Sequence, residues 1–274
     1  MPLKSNIDHL QNKSVMKKLK WLSVLLLTSF LIYGCYEVNE EIVIGDSGAG
    51  TFSSKMDMGA LLEMMKSFGG DEMNKEGLDR IIDSTVMMAS VIDSAKDLSP
   101  AQKALFSTGK MRIQMNLNES ILKINTDFKF KSYEDLQMLL SGGGNMSAIG
   151  NLMKKVMDNK EEKAEAQPDS PKDPDLDKIG TAFNFIVKDG VITKNFDKEK
   201  YDKVMAGEEM AQMKSLGGAG MEVLYTTVIK LPRPATSQES AIVKFSADKK
   251  TVTIRYNYLD IFETPEKLTY TITY

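Results

Sequence analysis

Apolar and polar residues alternate most strictly between Met111 and Phe130. Met111, Ile113, Met115 and Leu117 fall on one face, while Arg112, Gln114, Asn116 and Asn118 fall on the other. Leu122, Ile124, Phe128 and Phe130 repeat the pattern against Lys123, Asn125, Asp127 and Lys129, with Asn118-Glu119-Ser120 between the two runs as a turn. A period of two with one polar face predicts an antiparallel pair wetted on one side. An earlier hairpin is predicted where Val38, Glu40, Ile42 and Ile44 lead through Gly45-Asp46-Ser47-Gly48 into an extended run from Thr51 to Met58. A third joins Ala182 to Lys188 with Val191 to Phe196 through an Asp189-Gly190 turn.

Helical spacing separates these hairpins. Leu61, Leu62, Met64, Met65 and Phe68 fit a short amphipathic helix, and Leu78, Ile81, Ile82, Val86, Met88, Val91 and Ile92 fit a longer one. Ser99-Pro100 supplies the residue types that open a helix, which carries Ala104, Leu105 and Phe106 until Gly109. These three helices are expected to form one packed layer. Ser132 with Asp135 resembles an N-cap arrangement for a helix holding Leu136, Leu139 and Leu140, stopped by Gly142-Gly143-Gly144. A further helix is expected from Lys198 through Leu216, before Gly217-Gly218.

The C-terminal portion reads as strands: Val223 to Leu231, Ile242 to Phe245, Thr251 to Tyr258 and Leu268 to Tyr274, with Asp248-Lys249-Lys250 as a turn. With no helix expected among them, they should pair as an antiparallel meander. The fold class predicted is α+β: antiparallel sheet or sheets with amphipathic helices on one face and a C-terminal β-meander.

Composition changes abruptly between Lys160 and Asp175, where charges, alanines and Pro168, Pro171 and Pro174 predict a solvated linker or loop. It divides an N-terminal half, residues 35–159, from a β-rich half, residues 176–274, expected to belong to the same domain. Asp173, Asp175 and Asp177 do not form a calcium loop, because Lys178 and Asn184 stand where an EF-hand needs its glycine and its closing glutamate.

The N-terminus has a different grammar. Lys17, Lys18 and Lys20 precede an apolar run from Trp21 to Ile32, which ends in Leu31-Ile32-Tyr33-Gly34-Cys35. The run is shorter than the roughly 20 residues of a bilayer-spanning helix, and its flanks are those of an export signal. Residues 1–34 are therefore expected to be a signal peptide, with Met16 the more natural start and residues 1–15 an upstream extension. Cys35, the only cysteine, is the expected site of lipid attachment, placing the domain close to a membrane through its acyl chains.

Removal of that leader constrains the chemistry left behind. The only histidine, His9, lies within it, and acylation consumes the only thiol. Histidine-based triads and zinc sites, disulfides and thiol redox chemistry each lose a required group. No metal, cofactor or catalytic residue is expected. Leader loss also takes the formal charge from −3 to −7, which argues against nucleic-acid binding. Glu40-Glu41, Glu161-Glu162 and Glu208-Glu209 are neighbours in sequence but diverge on a strand or helix, so none forms a catalytic dyad and all are expected on solvated faces. Met56, Met58, Met64, Met65, Met87, Met88, Met111, Met115, Met153, Met157, Met210 and Met213 read mainly as core residues, some of them able to adapt to an acyl chain.

The leader, Tyr36-Glu37-Val38-Asn39-Glu40-Glu41-Ile42-Val43-Ile44, the glycine-rich turn and Lys55-Met56-Asp57-Met58 resemble an uncharacterised lipoprotein family of Bacteroidetes. The early hairpin, the helical middle, Leu231-Pro232 and the Ser246-Ala247-Asp248-Lys249-Lys250-Thr251-Val252 turn are more loosely similar to the mycobacterial LppM-type lipoprotein domain. That resemblance implies an α+β fold and a lipid-binding role. The expected function is a non-enzymatic lipoprotein of the cell envelope, anchored at the outer membrane and binding a lipid, another hydrophobic ligand or an envelope protein. A carboxylate-dependent glycan hydrolase and a surface adhesion or assembly module are the alternatives.

Overall fold

A computed structural model describes residues 36–60, 62, 63, 66, 81–92, 98–141, 179–207, 210 and 222–274. The leader, Cys35, the 160–175 linker and residues 211–216 of the expected late helix lie outside them. The fold class is α+β, as expected.

An eight-stranded sheet organises the unit Tyr36–Tyr274. Its strands are β1 (Tyr36–Ile44), β2 (Gly50–Asp57), β3 (Ile81–Met87), β4 (Lys110–Asn116), β5 (Ile121–Phe130), β8 (Val223–Lys230), β9 (Val243–Phe245) and β10 (Thr251–Asn257). They lie in the order β3-β4-β5-β2-β1-β8-β10-β9. A second sheet orders β11 (Tyr270–Thr273), β7 (Val191–Phe196) and β6 (Phe183–Lys188). The three hairpins predicted from alternation, β1-β2, β4-β5 and β6-β7, are all antiparallel pairs. Their turns use the expected chemistry: Gly48 and Gly190 adopt φ of 80° and 78°, where glycine carries no side-chain penalty.

The two halves of the sequence meet within the large sheet, since β1 runs parallel to β8 with Ile42 opposite Ile229. Residues of one parity point inward. Ile42, Phe52, Phe128, Ile229 and Val252 occupy one buried row across five strands. The other face is wet and charged, with Lys110–Asp127 at 3.4 Å, Lys123–Asp57 at 3.2 Å and Arg112–Asp83 at 2.7 Å. These half-exposed pairs fix little stability, typically up to about 1 kcal/mol each, but keep that face in water.

Short helices cover part of the inner face: α1 (Ala89–Ile92), α2 (Pro100–Phe106) and α3 (Tyr133–Ser141). Ser99 and Gln102 complete a reciprocal capping box at α2, with bonds of 3.3 and 2.9 Å. Ser132 caps Asp135 at 3.2 Å, while the Asp135 carboxylate accepts from Lys131 N at 2.8 Å. Leu136 and Leu139 are buried beneath that cap.

Three expectations need correction. The helix predicted across Leu78–Ile92 is largely strand β3, and only Ala89–Ile92 is helical. The branched residues Ile81, Ile82, Thr85 and Val86 suit a strand, and pairing with β4 satisfies its backbone along one flank. Next, α4 (Lys198–Met205), capped by Asp197, breaks at Ala206-Gly207 instead of continuing unbroken toward Leu216. Lastly, β8, β10 and β9 form the expected antiparallel run, but β11 leaves it to pair with β7. The cause is α5 (Asp260–Glu263) followed by a 3-10 turn at Pro265–Leu268, which carries the chain across to the second sheet. Pro265 starts that turn, and buried Ile261, Phe262 and Leu268 anchor it in a second apolar cluster with Phe183 and Ile179.

Candidate functional site

One row of the inner face departs from apolar packing. Directly paired across four strands, in order, stand Thr126, Ser54, Glu40 and Thr227. Ser54, Thr126 and Thr227 are all buried. The alternation that buries Val38, Ile42 and Ile44 also carries Glu40 inward, because all four share one parity on β1. This corrects the expectation that Glu40 sits on a solvated face. Its neighbour Glu41 does face outward, with Lys230 at 3.1 Å. The other sequence-adjacent glutamates, Glu161-Glu162 and Glu208-Glu209, lie outside the described residues.

Glu40 is held by hydroxyls. Its Oε1 accepts from the Tyr225 hydroxyl, and its Oε2 accepts from Thr227 Oγ1 at 3.0 Å. Burial raises its pKa above the usual carboxylate range, while the two hydroxyls and the positive charge of Lys194 oppose that rise. Protein surrounds the group closely enough to desolvate it, although the residue as a whole is only half-buried. Tyr225, Tyr256 and Tyr270 have the same character. These groups border one another, since Glu40 bonds Tyr225, Tyr225 stacks on Tyr256, and the Lys194 ammonium reaches the Tyr256 ring.

The facing charge comes from the second sheet. On β7, Ile192 and Lys194 share the inward parity, and Lys194 is only 7 % exposed. Its strand neighbours are Phe185 on one side and Tyr270 on the other. The ammonium lies 4.4 Å from the centre of the Phe183 ring, 5.0 Å from Tyr256 and 5.8 Å from Phe185. Aromatic faces are its contacts; no carboxylate oxygen stands within 4.0 Å of it among the described residues. Burial lowers its pKa to about 8, against an opposing pull from Glu40.

Tyrosines close the space. Tyr225 and Tyr256 are directly opposed on β8 and β10 and stack at 5.2 Å with 16° between their planes. Tyr258 approaches Tyr225 at 6.3 Å. Burial, reinforced by the Glu40 charge, raises the pKa of Tyr225, Tyr256 and Tyr270, so their hydroxyls stay protonated donors at neutral pH. This cluster therefore brings together one carboxyl group, one ammonium group, several hydroxyls and flat aromatic faces.

Sequence reasoning noticed Glu40 in its apolar stripe without drawing the consequence. It missed Lys194, although Ile192-x-Lys194-x-Phe196 carried the same signal of a charge at an inward position. The methionine reading holds for Met56, Met88, Met111, Met115 and Met210, which are buried, but not for Met87, which is exposed. Among the described residues, no group of three or more His, Cys, Asp or Glu side chains could hold a metal ion, and no helix is long and apolar enough to cross a membrane. Neither family models, curated proteins nor solved structures provide a match to this chain.

Proposed function

We propose that this chain is a non-enzymatic lipoprotein of the cell envelope, anchored at the outer membrane through Cys35, that binds an amphipathic lipid between its two sheets. The observation that carries the binding part is the placement of opposite charges, Glu40 and Lys194, from different sheets around the same aromatic rings without a direct ion pair between them. Buried charge is costly to maintain, and strongly perturbed charged groups cluster at binding and catalytic sites. An amphiphile matches both aspects of the cluster, with polar groups for its head and aromatic faces for its apolar body. The anchoring part rests on the lysine cluster, the short apolar run and Gly34-Cys35, and on the likeness of that leader and the first hairpin to Bacteroidetes lipoproteins.

Binding is favoured over glycan hydrolysis by the company Glu40 keeps. Among the described residues, the groups acting on its ionisation are two hydroxyls and an ammonium, with no second carboxylate. Carboxylate glycosidases work with a pair.

Mass spectrometry of the gently extracted chain tests both parts at once. The covalent mass is expected to start at Cys35 and include acyl chains, and Cys35→Ser should abolish that modification. Under native conditions, a non-covalent lipid should accompany the wild-type protein. An unmodified precursor with free Cys35 would overturn the anchor, and a clean apo mass would turn the binding assignment toward a protein partner.

A further inference from the structure

We infer that Glu40 and Lys194 together select a dipolar head group, an ammonium joined to a phosphate or carboxylate, with the anion on Lys194 and the ammonium on Glu40. The inference rests on the lipid-binding reading and specifies the kind of head it accepts.

Hydrogen-bond accounting is the first argument. An ammonium has three donors, and those of Lys194 meet aromatic faces with no acceptor oxygen or nitrogen among the described residues. A carboxylate has about four acceptor positions, and among the described residues only Tyr225 and Thr227 donate to Glu40. The hydroxyls of Tyr256 and Tyr270 likewise have no hydrogen-bond partner among the described residues, and neither is sealed from solvent. Unused donors and unused acceptor positions thus face one space.

Charge placement is the second. Glu40 and Lys194 come from different sheets, feel each other electrostatically, and do not close into a direct ion pair within 4.0 Å. A ligand bearing only a negative group on Lys194 would leave Glu40 facing a like charge. A purely cationic ligand would meet the same conflict at Lys194. A dipolar head satisfies both, and the surrounding aromatic rings exclude the water that would otherwise weaken the two contacts.

Head-group preference of the full chain, held in amphipol, tests this directly. Acyl-labelled lysophosphatidylethanolamine, lysophosphatidylglycerol and monoacylglycerol are titrated by fluorescence anisotropy, with unlabelled phosphoethanolamine as competitor. The ethanolamine lipid is expected to bind at least about tenfold tighter than the other two, the scale of one charge-assisted contact. Glu40→Gln should remove the preference for the ethanolamine over the glycerol head, and Lys194→Met should weaken both phospholipids relative to monoacylglycerol, whereas Glu41→Gln on the opposite face should preserve all three affinities. The wild-type series stands by itself should either inner variant fail to fold. Equal affinity for the three lipids, or a preference that survives both folded inner variants, would overturn the inference while leaving lipid binding intact. Failure of every lipid would overturn both. Displacement by phosphoethanolamine at the lipid's own affinity would uphold dipolar recognition and overturn the lipid as its source.

Discussion

Lys194→Met is expected to raise stability at pH 7 by about 2 kcal/mol and to flatten the alkaline stability profile. Burial holds the Lys194 pKa near 8, against 10.5 for an ordinary lysine. Each pKa unit corresponds to about 1.4 kcal/mol, so keeping the folded-state ammonium charged costs about 3 kcal/mol. Methionine fills similar space without that cost, which already includes the opposing attraction to Glu40, and the shorter side chain's incomplete filling of the space reduces the gain. The sign follows from proton binding. Between pH 8 and 10.5 the unfolded chain holds a proton that the folded chain has released, so wild-type stability rises with pH in that window. Below pH 8 both states are protonated and the penalty is present in full. The wild-type and Met variant urea profiles should therefore differ most at pH 7 and converge toward pH 10. Destabilisation by methionine at pH 7, or a constant gap between the profiles, would contradict the assignment of Lys194 as a costly buried charge.

The opposite outcome is expected at Phe128. Its ring is buried where β5, β2 and α2 meet, with Phe52 at 6.3 Å and Phe106 edge-on at 5.8 Å. Gly109 makes room for it, since a Cβ at that position would stand 2.4 Å from the ring. Phe128→Ala should cost about 3 to 5 kcal/mol, combining lost burial with an unfilled cavity between elements that cannot close together. Lys129→Ala, one residue along and facing water, should change stability by no more than about 0.5 kcal/mol. Denaturant midpoints of the two variants measure this contrast. A loss below about 1 kcal/mol at Phe128, too small for a buried core aromatic, would mean that the inner face is not the central core.

The fold was legible where short-range signals agree. Alternation, turn glycines and capping residues all act within a few positions, so β1-β2, β4-β5, β6-β7 and the caps of α2 and α3 could be read directly. Partner choice over long separations could not. Nothing local to β1 says that it lies parallel to β8, and the sequence of β11 suits either sheet equally well. At Ile81–Met87, apolar residues fit a helical spacing, and their branched side chains decided for a strand once β4 was available. The candidate site divides in the same way. A charge on the apolar parity was visible at Glu40 and at Lys194, but their approach depends on two sheets folding over each other. Cys35 was read from its flanking pattern and lies outside the described residues.

Strand parity gives the most direct test of ligand binding between the sheets. On β11, Tyr270 borders the cluster beside Lys194, while the next residue, Thr271, is exposed on the opposite face. A photoreactive benzophenone residue placed at either position in the full chain, irradiated in the producing cells and analysed by mass spectrometry, reports what touches each face. The account predicts an acyl-lipid adduct at position 270 and none at 271. Equal lipid adducts at both positions, or protein adducts alone at 270, would contradict it.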